Sequence, residues 1–112
     1  MRFLKGDLKD SQNLTTGALS YTTTYSKGFK LNQILIKFSV PVTETITITL
    51  DSKEGTVYDT VLRSKGLVGE SSFVYKPEGD PNFAKGDQIK IQCTNANKTG
   101  TAYLIVKSRE IG

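Results

Sequence analysis

Residues 29–50 read FKLNQILIKFSVPVTETITITL, and this stretch decides the fold. Ile34, Ile36, Phe38 and Val40 alternate with Leu35, Lys37 and Ser39; Ile46, Ile48 and Leu50 then alternate with Thr45, Thr47 and Thr49. Successive side chains on a strand point to opposite faces, so a period of two marks a strand with one buried face. Phe29 and Leu31 stand out of phase with Ile34 and its successors, which predicts a β-bulge or a switch between sheets near Asn32 and Gln33. Pro41 is expected to end the first strand, because proline cannot donate to a central ladder. Threonine is β-branched yet polar, so Thr45, Thr47 and Thr49 suit a solvated or partner-facing side.

Working outward, residues 17–25 (GALSYTTTY) form a strand candidate that ends at the turn Ser26-Lys27-Gly28. Residues 51–55 close a hairpin, 56–63 (TVYDTVLR) read as the next strand, and 64–69 as a glycine-punctuated loop. Residues 71–76 (SSFVYK) make a short strand stopped at Pro77, and 77–87 (PEGDPNFAKGD) make the longest irregular connection. In residues 88–94, Ile89, Ile91 and Cys93 alternate with Gln88, Lys90 and Gln92. Residues 95–100 (NANKTG) are a turn rich in residues that tolerate positive φ. Residues 101–107 (TAYLIVK) are apolar on both faces, as expected of a strand that is central in its sheet or covered on its second side. No segment sustains a 3.6-residue period. Strands recurring every ten to twelve residues predict an all-β, single-domain antiparallel β-sandwich, jelly-roll-like, with about seven or eight strands. Residues 1–12, of mixed charge, read as a short N-terminal arm, and 13–112 as the sandwich.

The chain of 112 residues is long enough for one domain that buries about two-thirds of its unfolded surface. Its 37% hydrophobic and 23% charged residues are ordinary for a globular domain. No apolar run approaches the roughly 20 residues of a membrane-spanning helix, and the charged start MRFLKGDLKD lacks the apolar run of a secretory signal. The net charge of +4 is scattered rather than clustered, so no specific nucleic-acid contact is expected; an acidic partner would be weakly attracted.

The chain contains no histidine and a single cysteine. That removes Ser-His-Asp and Cys-His catalysis and any His/Cys zinc site, and no enzyme activity or cofactor is expected. Cys93, in step with Ile89 and Ile91, is expected in the core as a small hydrophobe. Glu78, Asp80 and Asp87 offer hard oxygens to calcium, against the plainer reading that they shape turns. Tyr21 and Tyr25 share a parity and could form an amphipathic patch for stacking on a ligand; the competing reading makes them rim or core aromatics.

Residues 17–62 (GALSYTTTYSKGFKLNQILIKFSVPVTETITITLDSKEGTVYDTVL), together with KGDQIKIQCTNANKTGTAYLIV, resemble the small β-sandwich accessory virion proteins of tailed phages. The likeness is one of layout: a Thr/Tyr-rich first strand, a Gly-Phe entry to a long strand and a closing G-D-x-I-x-I strand. It implies a capsid decoration (cement) protein that binds the major capsid protein or another virion protein, as a symmetric homo-oligomer, and stabilises the shell. The expected location is the virion, assembled in the host cytoplasm, without membrane contact. Expected contacts are the arm residues Arg2, Phe3 and Leu4 and the threonine face of Thr45, Thr47 and Thr49. The alternative is a glycan-binding or adsorption module using Tyr21 and Tyr25.

Overall fold

The computed structural model of the chain describes residues 8–25, 27–79 and 82–111. Among the described residues nine strands follow in order: β1 (Leu8–Asn13), β2 (Leu19–Thr22), β3 (Phe29–Val42), β4 (Thr45–Asp51), β5 (Thr60–Gly66), β6 (Glu70–Tyr75), β7 (Asn82–Phe83), β8 (Gln88–Cys93) and β9 (Thr101–Glu110). They form two antiparallel sheets. The first runs β1-β9-β3-β6, with the short β7 also on β3, and the second runs β2-β8-β4-β5.

The pairing has a simple logic. β1 pairs with β9, β2 with β8, β3 with β6 and β4 with β5, as in one long hairpin whose tip is the β4–β5 connection. The extra pairs β3–β9 and β4–β8 appear because that hairpin is wound around a core. The result is a jelly-roll β-sandwich.

The alternating residues do what their period demands. Ile34, Ile36, Phe38, Leu104 and Val106 from the first sheet face Ile46, Ile48, Ile89, Ile91 and Cys93 from the second, all buried. Each such side chain contributes about 1.5–3 kcal/mol by leaving water. The β3–β9 register shifts between Leu31 and Gln33. This bulge at Asn32 lets Phe29 and Leu31 be buried together with Ile34 despite their broken phase. β9 is central, between β1 and β3, as its two-faced apolar character implies.

Four details depart from the reading of the sequence. Pro41 does not end β3, which continues to Val42. The β3–β6 register is itself irregular between Lys37 and Val42, so no regular ladder donor is required of the proline. Residues 56–58 form a 3₁₀ turn rather than a strand start, and β5 runs on through Gly66. β2 stops at Thr22, so Tyr25 lies beyond it. Finally, residues 8–12 belong to β1, paired residue by residue with β9, so the sandwich begins at Leu8 rather than at residue 13.

Candidate functional site

The outer surfaces of the two sheets differ in chemistry. On the first sheet, Leu35 of β3 stands directly between Ile105 of β9 and Val74 of β6. Opposed residues share a face, and their in-chain neighbours Ile34, Ile36, Leu104 and Val106 are buried, so this row points outward. Tyr103, two residues before Ile105, lies on the same face. Val74 is 51% exposed and Tyr103 50% exposed; Leu35 and Ile105 are half-buried. Lys9 stands opposite Ile105, Lys37 opposite Tyr103, and Lys107 opposite Gln33. An apolar row across three strands is thus rimmed by lysines. Beside it, Lys9, Ser11, Tyr103 and Ile105 are among the residues that line a shallow depression of about 530 Å³.

On the second sheet the outward positions are mostly hydroxyls and amides, with Lys90 and Val61 among them. Thr47 stands between Gln92 and Ser64, and Gln92 stands opposite Ser20. Thr49 stands between Lys90 and Val61, with Thr22 beyond Lys90. Thr45 is exposed; Thr47 and Thr49 are half-buried by these neighbours. The three threonines therefore share one outward face, as the alternation predicted. Arg2, Phe3 and Leu4 lie outside the described residues.

The two tyrosines form no surface patch. Tyr25 is only 7% exposed. Its ring stacks on Phe29 with centroids 3.9 Å apart, Phe29 stacks in turn on Phe83, and its hydroxyl lies 2.6 Å from the buried Ser108 Oγ. Tyr21 stands opposite the buried Ile91 and packs against the core. Burial pushes both phenols above the usual tyrosine range. A ring held this way offers no open platform to a sugar, which corrects the expected pairing of Tyr21 with Tyr25.

Of the acids of the long connection, Asp87 shapes the backbone. Asp87 accepts the Lys53 N–H through Oδ1 and the Ala84 N–H through Oδ2, joining two loops. Among the described residues no three acidic or cysteine side chains converge as a metal site would require; Asp80 lies outside them. Cys93 is buried, and its thiol is raised to about 11, first by loss of water and then by the Glu44 charge. The apolar row escapes a reading of the sequence because it depends on register. Its one signal is the two-faced apolar character of residues 101–107.

No family model matches this chain, and no curated protein does. Among solved structures, the Drosophila NLP core, whose structure bears on pentamer formation and histone binding in that protein, is similar with a TM-score of 0.45 and 9% identity. That likeness covers 93% of this chain and 98% of the other. PirA is similar with a TM-score of 0.44 and 10% identity, over 81% of this chain and 92% of PirA. Neither likeness carries a function across.

Proposed function

We propose that this chain is a non-enzymatic structural protein of a phage virion, a decoration protein that docks on the head shell through the outer face of its first sheet. The observation that carries the reading is the apolar row Val74–Leu35–Ile105 beside Tyr103. Three strands present it to solvent within a rim of lysines. Burying such a row against a partner is favourable, and lysines at the rim steer toward an acidic surface without contributing much once bound. On a lattice, many such modest contacts act together, so each can be weak. The resemblance to accessory virion proteins supplies the kind of lattice, and the absence of histidine from the sequence removes the commonest general base.

The test is direct. Particles from the source are banded on a density gradient and analysed by mass spectrometry for this chain. A fixed, high ratio to the major capsid protein is expected; its presence only in the soluble fraction overturns the reading. Leu35→Glu and Tyr103→Ala should then abolish rebinding to stripped particles while unfolding as the parent does. The threonine face serves as the internal control: Thr47→Ala should rebind normally.

A further inference from the structure

The two lateral sides of the sandwich are unlike. One carries the edge strands β1 and β2, the other β6 and β5. Of the seven large apolar side chains exposed among the described residues, Val57, Tyr58 and Val68 lie in the segments that flank β5 and β6, while Val61 and Val74 of those strands stand on the outer faces.

The charges are also divided. On β5, Lys65 stands opposite the buried Ile46 and Arg63 opposite the buried Ile48. Both cations therefore project toward the gap between the sheets at the open edge. Arg63 lines a shallow cleft there of about 500 Å³, together with Leu62, Val74, Tyr75, Lys76 and Glu78, so cations outnumber acids in it. Neither Arg63 nor Lys65 has an ion-pair partner among the described residues. On the opposite side, Asp10 of β1 stands opposite the buried Leu104 and points the same way. Charges turned inward on an edge strand deter indiscriminate edge pairing. Here their signs do more: two like sides repel, and two unlike sides attract.

Strand direction completes the match. Each sheet has four main antiparallel strands, so its two edges run in opposite directions. A second copy rotated about an axis parallel to the strands brings its β1 antiparallel to β6 and its β2 antiparallel to β5. β1 and β6 are each six residues long, with neither proline nor glycine. We propose that the partner of the β5/β6 side is the β1/β2 side of a second copy of this chain, in a head-to-tail contact that sets Asp10 against Arg63 and Lys65 and closes into a ring. Such heterologous contacts close whenever the repeated rotation completes a circle. The contact leaves Leu35, Ile105 and Tyr103 of the docking row free, so it is tested separately from docking on a shell.

Sedimentation velocity of the full chain tests it, with circular dichroism to confirm folding. A single closed species larger than a dimer is expected. The variant R63E/K65E has two acidic sides and D10K has two basic sides, so each alone should sediment as a monomer. Mixed in equal amounts they should reassemble, because every acidic side then meets a basic one. That recovery also proves both variants folded. A wild-type chain that is monomeric at every concentration, an open polymer, a dimer indifferent to D10K, or a mixture that stays monomeric would each overturn the proposal.

Discussion

The carboxylate of Glu44 accepts the backbone N–H of Asn97 at 2.8 Å, tying the β3–β4 corner to the β8–β9 turn. The same carboxylate accepts the Ala96 N–H at 2.9 Å and the Thr94 hydroxyl at 2.7 Å, while the Glu44 carbonyl accepts the Leu67 N–H. Asn97 returns a side-chain bond to the Thr43 carbonyl. One buried acid thereby joins three connections at one end of the sandwich. Hydrogen bonds to an ionised group are the stronger kind. Glu44→Ala is expected to cost about 2–4 kcal/mol, and Glu44→Gln, which keeps one acceptor oxygen, about half of that. Urea unfolding followed by far-ultraviolet circular dichroism checks it: the midpoint should fall with little change in slope. An unchanged midpoint in Glu44→Ala would remove the acid from the lock.

The same turn relies on Gly100. Its φ of +77° is one that residues with a Cβ rarely adopt, and an added Cβ would lie 2.8 Å from Val40 Cγ2. Both the backbone and the space therefore oppose a side chain. Gly100→Ala should destabilise by roughly 1–3 kcal/mol. Val40→Ala in the same chain should recover only the steric part, because the φ penalty remains. Thermal unfolding of the two variants separates the contributions.

Cys93 sets an alkaline limit. Its folded thiol, raised to about 11 from 9.0, is held protonated by burial first and by the Glu44 charge second. A folded-state value above the unfolded one contributes stability that is complete below pH 9 and is lost as pH rises toward 11. The full shift corresponds to roughly 3 kcal/mol. Wild-type stability should therefore drop between pH 9 and 11 more steeply than that of Cys93→Val, which has no thiol to ionise. Parallel slopes in urea titrations across this range would sink the assignment. At neutral pH the native thiol should resist iodoacetamide and react only after unfolding.

Much of the fold was legible for a reason these residues share. The inward sets of β4, β8 and the part of β3 from Ile34 to Phe38 are apolar and alternate without interruption, so a local pattern already determines the buried face. The bulge at Asn32 was legible as well, because two inward sets of opposite phase cannot otherwise share one core. β1 was not: LKDSQN carries a single aliphatic residue, and what makes it a strand is the open edge of β9. Pro41 misled because a local rule was overridden by an irregular register several residues away. The buried roles of Tyr25 and Glu44 come from partners 83 and 53 positions along the chain. The outward row of Val74, Leu35 and Ile105 depends on alignment between strands, which a one-residue slip would destroy.

The N-terminal boundary yields the last expectation. Reading residues 1–12 as an arm implies that the first ten can be removed without harm to the sandwich. The structure pairs Leu8 with Val106, Lys9 with Ile105 and Asp10 with Leu104, and Leu8 packs against the core. Removing residues 1–10 therefore strips half of β1 and leaves part of β9 as a bare edge. That edge carries apolar side chains on both faces, the kind of strand that templates aggregation. Lost ladder bonds and the lost leucine together amount to roughly 2–4 kcal/mol. Removing residues 1–7 leaves every described strand pair in place. The shorter truncation should unfold near the parental temperature, and the longer one should melt several degrees lower and aggregate on heating. Equal melting of the two would return residues 8–10 to the arm.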